Sequence, residues 1–238
     1  MKITLPIGFV AVCLTVCPAA VGEEEHGTLI EPLRPYVEQI LAELDKVSAE
    51  RRKSLDEIAA EIATRVKYRK SANLTFICSH NSRRSHMSQL WAQTAAYYYG
   101  FDEVHSYSGG TGATACNTRT VTALRRVGFS VVSTTEGENP VYLIQFSDER
   151  PPVRAYSKLY DADGNPKEDF IALMCCSKAD KTCPIVLGAT SRYAIHYVDP
   201  KLCDDTAEET PQYNARCREI AREMFYIMSQ VQQWMDKV

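Results

Sequence analysis

Cys78 and Arg84, six positions apart in Leu74-Thr-Phe-Ile-Cys78-Ser-His-Asn-Ser-Arg-Arg84-Ser85, are the residues of this 238-residue chain best suited to chemistry. The stretch reads as an apolar strand, a loop and a helix start. In that setting the backbone N–H groups of Ser79, His80, Asn81, Ser82 and Arg83 can converge on one centre, and the helix adds the positive end of its dipole. A tetrahedral oxyanion such as phosphate, arsenate or sulfate is the ligand for such a cradle. Cys78, beneath the helix N-terminus, is expected to be a thiolate near neutral pH and therefore a nucleophile. Arg84 offers a planar fork that holds two equatorial oxygens, more tightly in the transition state. Ser85 can cap the helix and donate its hydroxyl to the Cys78 sulfur. The competing reading is a small buried cysteine followed by a solvated basic helix start, and the strand-loop-helix setting weighs against it.

The elements that must position this loop alternate in the manner of an α/β unit from residue 74 onward. Strands are expected over 74–77, 104–108, 170–174 and 193–198, and helices over about 85–99 and 118–127. A long C-terminal helix starts at Thr210-Pro211 and buries Ile220, Met224, Ile227, Met228, Val231 and Met235. Short right-handed crossovers make the strands parallel and put the Cys78 loop at a carboxyl edge of the sheet. Residues 141–146 and 153–160 read as an inserted antiparallel hairpin that extends the sheet edge or rims the site. Upstream, residues 32–69 read as a helical hairpin. Its first stripe is Val37, Ile40, Leu41, Leu44 and Val47, and a capping box, Ser54-x-x-Glu57, opens a second stripe of Leu55, Ile58, Ile62 and Val66. The expected organisation is a signal peptide over 1–22, a helical extension over 23–72 and a catalytic domain over 73–238.

The signal peptide rests on Met1-Lys2, the apolar run from Ile3 to Cys17, the small residues of Ala20-Val21-Gly22 and the acidic Glu23-Glu24-Glu25. Export to a periplasm or the outside is the expectation. The run is short for a membrane span, so no span is expected in the mature protein; lipidation at Cys17 is the lesser alternative. A net charge of −3 argues against a general nucleic-acid binder. Nine cysteines become seven once Cys13 and Cys17 are removed, and an odd number leaves at least one thiol free.

The Cys78 loop, with Asn81, Arg84 and Ser85, the Ser108-Gly-Gly-Thr turn after the second strand and Asp199-Pro200, resembles the low-molecular-weight protein tyrosine phosphatases and the thiol-coupled arsenate reductases that share their fold. The resemblance covers roughly residues 74 to 235 and implies a flavodoxin-like parallel sheet with flanking helices. It gives Asp199 the role of general acid. Two departures stand out: His80 where the family loop has Gly, and Arg83 where it has Cys. His80 implies a differently shaped loop, because Gly adopts positive φ freely and His does not. Arg83 is expected to face solvent or an acidic substrate.

The segment Cys175-Cys176-Ser-Lys-Ala-Asp-Lys-Thr-Cys183-Pro separates two enzymes. By resemblance to the reductases, Cys176 and Cys183 are resolving thiols: the first attacks the Cys–arsenic adduct, and the second accepts the disulfide and passes it outward. Arsenate reduction needs two electrons, which one thiol cannot supply alone. Hydrolysis needs neither cysteine. In an exported protein the same pair can form a structural disulfide, whereas a metal site lacks a second ligand pair. The sequence reading sets first a phosphatase that hydrolyses phosphate monoesters, phosphotyrosine above all, through a phosphocysteine with Cys78, Arg84 and Asp199. Against it, Lys201-Leu202 follow Asp199-Pro200 where the family's tyrosine phosphatases carry ring-gripping aromatics, although Tyr156, Tyr160 and Tyr197 are near in sequence. Second stands an arsenate reductase coupled to a thioredoxin-like reductant, and third an oxyanion- or partner-binding module without turnover. None of the three calls for a metal or a cofactor.

Overall fold

The computed structural model describes residues 26–237; the expected signal segment lies outside the described residues. Along the chain run α1 (Arg34–Leu41), α2 (Ala49–Lys67), β1 (Ala72–Cys78), α3 (Arg84–Tyr98), β2 (Val104–Gly110), α4 (Thr118–Arg126), β3 (Ser130–Ser133), β4 (Tyr142–Gln145), β5 (Val153–Ala155), β6 (Phe170–Met174), α5 (Ser177–Thr182), β7 (Ala189–Ala194) and α6 (Glu209–Asp236). Short 3-10 turns occupy Glu31–Leu33, Leu44–Lys46 and Pro200–Cys203.

Four strands form a parallel sheet in the order β2-β1-β6-β7. Counted within the sheet this is 2-1-3-4, the flavodoxin-like order, and its switch point falls between β1 and β6. β1 is central, and Leu74, Thr75, Phe76 and Ile77 are all buried, as a parallel strand covered on both faces requires. Ligands of such sheets bind outside the carboxyl ends of the strands at the switch point. β1 ends there on Cys78 and β6 runs out there into Cys175-Cys176, and the Cys175 N–H bonds the Ile77 carbonyl at 2.7 Å. The topology therefore brings both cysteine groups to one crevice.

Trp91 of α3 sits fully buried among Phe129 and Phe225 and donates its Nε1–H to Cys217 Sγ at 3.2 Å, tying α3 to α6. α2 lays Leu55, Ile58 and Ile62, all fully buried, into the same core.

Four expectations need correction. The second helix of the extension begins at Ala49: Ser48 is extended (φ −63°, ψ 150°) and its Oγ accepts from the Arg51 N–H, whereas Ser54 lies inside the helix and donates to the Arg51 carbonyl. The strong helix formers Ala49 to Lys53 carry the helix past the supposed cap. The inserted segment forms a separate antiparallel sheet, β3-β4-β5, in which β3 pairs with β4, so it is not a lone hairpin on the main sheet's edge. The strand expected at 193–198 lies earlier: β7 carries polar residues that face α2, with Ser191 Oγ and the Tyr193 hydroxyl donating to Glu61, and it shows no apolar run. α6 starts at Glu209, with Pro211 in the first turn, where its missing N–H costs nothing.

Candidate active site

β1 delivers Cys78, buried, to the loop at residues 79–83, and Arg84 opens α3. The Cys78 sulfur lies 3.1 Å from Ser85 Oγ. Ser85 is the second residue of α3; Arg83 occupies the cap position and makes no side-chain cap bond, so the expected capping role of Ser85 is not realised. Asn81 is fully buried at φ 43°, its Nδ2 donating to Ser85 Oγ at 2.9 Å and its Oδ1 accepting from the Lys158 N–H at 3.0 Å. The left-handed backbone of the loop falls on Asn81, a residue type that tolerates it, and His80 has no positive φ. His80 is exposed, and its carbonyl accepts from Ser157 Oγ at 2.8 Å. Ser108, Gly109 and Gly110 end β2 and only Thr111 lies beyond it, so the stretch is not a turn after the strand: a Cβ on Gly110 would lie 2.1 Å from the Gly112 carbonyl oxygen and 2.8 Å from the Asn81 nitrogen. Glycine is what lets the loop lie against that strand.

Arg84 Nη2 donates to Asp199 Oδ2 at 2.6 Å and Nη1 to the Tyr197 carbonyl at 2.9 Å, and its Nε is buried without a partner. Asp199 Oδ1 accepts from the Lys201 N–H at 3.1 Å and so caps the 3-10 turn. Arg83 does not face solvent: Nε donates to the Tyr213 hydroxyl at 2.7 Å and Nη2 to Asp204 Oδ2 at 3.0 Å. Burial opposes the Arg83 charge, and Tyr213 with the Asp199 and Asp204 carboxylates outweighs it and raises the pKa. Tyr197 is buried and cannot grip a substrate ring. Its hydroxyl donates to Glu223 Oε2 at 2.7 Å, and burial, then the Glu223 charge, hold its pKa well above the usual phenol range.

Cys176 caps α5, accepting from the Ala179 N–H at 3.4 Å, with its Sγ 3.5 Å from Ser79 Oγ. Cys183 ends the same helix, half-buried, its thiol 3.2 Å from the Ile185 carbonyl. A helical span of this length is roughly 10 Å, beyond the Cα separation a disulfide bridges. Both are free thiols, so the structural disulfide is not formed. Cys175 points into the interior, and burial, then the neighbouring Cys78, push its thiol pKa up.

Cys78, Arg84, Cys176 and Asp199 line one cavity of about 180 Å³, together with Ser79, His80, Ser82 and Arg83. Asn81 and Ser85 lie behind it as supports. Cys183 is not among its lining residues. Sequence reasoning missed the Tyr197 carbonyl, Ser157 and the Lys158 N–H as holders of the site, and Lys178 and Lys201, which bring positive charge to the cavity. Of these, only the two lysines carried a signal, as basic residues flanking Cys176 and Asp199. Among the described residues no group of three or more His, Cys, Asp or Glu could hold a metal ion, and no helix is long and apolar enough to cross a membrane.

No family model matches the chain. The arsenate reductase of Bacillus subtilis is 28% identical over 144 residues, covering 60% of this chain and 85% of that protein. Arsenate reductase 2 of Staphylococcus epidermidis is 28% identical over 125 residues, covering 52% and 76%. The chain resembles the family of arsenate reductases and low-molecular-weight phosphatases. A solved low-molecular-weight protein tyrosine phosphatase from T. tengcongensis overlaps 71% of this chain and 100% of its own at 14% identity, with a TM-score of 0.44.

Proposed function

We propose that the protein reduces arsenate to arsenite by a thiol relay through Cys78, Cys176 and Cys183. One observation carries the reading: Cys176 lines the Cys78 cavity, its sulfur 3.5 Å from Ser79 Oγ, where hydrolysis has no use for a second thiol. It reverses the order in which the sequence ranked the two enzymes. The arsenate reductase relatives point the same way.

The Cys78 thiolate displaces one arsenate oxygen, which leaves as water, and forms an S–As bond while Arg84 and the loop amides hold the other oxygens. To reach Arg84 the oxyanion displaces Asp199, which then supplies the proton for the leaving oxygen. Cys176 next attacks Cys78 Sγ. An S–S bond forms, the S–As bond breaks, and its electron pair stays on arsenic, which departs as arsenite; two thiols have become one disulfide. Cys183 then attacks Cys176 and frees Cys78, a step that requires α5 to unwind. An external dithiol reduces the Cys176–Cys183 bond. Cys176→Ser is expected to abolish arsenite release in the presence of dithiol. Arsenite formation that survives that substitution sinks the relay.

Phosphate monoester hydrolysis is the second reading, favoured by Asp199 lining the cavity with Cys78. Cys78 displaces the alcohol as Asp199 protonates it, and Asp199 then activates water against the phosphocysteine. Cys78-dependent hydrolysis of an aryl phosphate that falls in Asp199→Asn, with no arsenite made by the wild type, would put this reading first.

Export remains part of the proposal and means that the dithiol partner is extracytoplasmic. N-terminal sequencing of the exported protein should find Glu23 at or near its start. A full-length chain confined to the cytoplasm removes this part.

A further inference from the structure

We propose that Arg51, on the N-terminal helical extension, is a positioning residue for the oxyanion grip of Arg84, acting through Glu223 and Tyr197. The inference rests on the reading of Arg84 as the oxyanion fork, not on which oxyanion is turned over.

Four groups connect the extension to the cavity. Arg51 Nε and Nη2 donate to Glu223 Oε1 and Oε2, each at 2.8 Å, so a residue of α2 makes a two-pronged ion pair with a buried carboxylate of α6. The same Glu223 Oε2 accepts from the Tyr197 hydroxyl at 2.7 Å, and the Arg51 guanidinium lies over the Tyr197 ring, 5.2 Å from its centroid. Tyr197 is thus held at its hydroxyl and at its ring face. Its backbone is the other end of the connection: the Tyr197 N–H bonds the Cys175 carbonyl at 3.0 Å, and the Tyr197 carbonyl accepts from Arg84 Nη1 at 2.9 Å. Two residues further on, Asp199 takes the second Arg84 nitrogen at 2.6 Å.

The physical consequence follows from burial. Glu223 has 6% of its side chain exposed, and a carboxylate there needs a charged partner with good geometry. Arg216 lies in the same region but is tied to Glu219 and makes no hydrogen bond to Glu223. Without Arg51, Glu223 takes up a proton or admits water, the Tyr197 hydroxyl loses a fixed acceptor, and the carbonyl that aims Arg84 is free to shift. The side chains of Cys78, Ser85 and Asn81 make no hydrogen bond to this chain of contacts, so nucleophile and fork separate experimentally. A merely structural ion pair would change stability and leave oxyanion affinity alone.

The test is protection of Cys78 from iodoacetamide by inorganic phosphate, measured on the mature protein and on Arg51→Met, Arg51→Lys and Tyr197→Phe, each checked for a native thermal transition. In Arg51→Met the half-protecting phosphate concentration should rise about tenfold, the size that one charged hydrogen bond carries, while the phosphate-free alkylation rate stays at the wild-type value. Tyr197→Phe, which keeps the ring and removes only the hydroxyl, should shift protection in the same direction, and the double variant should shift it no further than the larger single effect. Arg51→Lys, with the charge but not the fork, should recover part of the loss. If Arg51→Met fails to fold, Tyr197→Phe decides alone. Wild-type protection in the folded variants overturns the proposal, as does a wild type that phosphate does not protect. If protection shifts as expected while no variant or wild type makes arsenite, the reductase reading falls and the positioning role of Arg51 stands.

Discussion

Asn81 concentrates three constraints in one side chain: a backbone at φ 43°, a donor to Ser85 Oγ and an acceptor for the Lys158 N–H. Alanine at that position keeps none of them. Asn81→Ala is expected to destabilise the protein by about 2–3 kcal/mol, one part from left-handed strain and the rest from two buried hydrogen bonds. Asn81→Gly, which relieves the strain but not the bonds, should fall between it and the wild type. Denaturant unfolding of the three proteins checks the order, and equal losses in Ala and Gly would remove the conformational part. At this scale the sequence showed the nucleophile, the fork and the loop that joins them, because Cys-x5-Arg between a strand and a helix is a local pattern. It did not single out Asn81 as the residue with the special φ, since a residue's type reports what it tolerates and not what the chain imposes. The partners of Arg83, Asp204 and Tyr213, lie more than a hundred positions away, and nothing local announces them.

At the scale of elements, the stretch leaving β5 braces the catalytic loop through Ser157 and Lys158, and Lys158 does so with its ammonium stem buried. Burial, then the Arg154 charge, lower the Lys158 pKa to about 8 from an ordinary 10.5. The sign follows from proton counting: between these two values the unfolded chain holds the proton and the folded one has lost it, so stability rises with pH across that window and the full cost of the buried charge stands below pH 8. Lys158→Met should therefore be more stable than the wild type by about 1–3 kcal/mol at neutral pH, with the difference closing toward pH 10.5. Thermal or denaturant unfolding at pH 7, 9 and 10.5 reads it, and a difference that is flat in pH would show that the cation costs nothing where it sits. The sequence showed the elements after residue 74 that carry their own hydrophobic period, whereas the short polar α5 between Cys176 and Cys183 carries none and was not foreseen. β3 and β7 escaped: both are edge strands with polar or half-exposed residues, whose partners, β4 in one case and β6 with α2 in the other, supply the ladder and the contacts that their own pattern does not advertise.

For the whole molecule, the switch point between β1 and β6 puts Cys78 and Cys176 in one crevice, and the same architecture keeps Cys183 at the far end of α5. A relay in such a molecule has a resting state with every thiol free and an oxidised state with one helix unwound. The described residues hold seven cysteines, all free, of which Cys183 and Cys203 are the two half-exposed ones. Thiol titration of the reduced protein lacking residues 1–22 with Ellman's reagent should therefore find Cys183, Cys203 and the cavity-lining Cys78 as the fast-reacting groups in the native state, and seven thiols in denaturant. A single turnover with arsenate and no reductant converts two thiols to one disulfide and should leave five in denaturant. Mass spectrometry of the digest should then find Cys176 joined to Cys183, with loss of the fast Cys183 reaction and of the α5 helical signal. Five thiols before any arsenate is added, in protein prepared without reductant and at full activity, would mean that the pair is a standing cross-link. The relay would then lose both its resolving thiols, and Cys78 with Arg84 and Asp199 would be left with hydrolysis as the chemistry available to them.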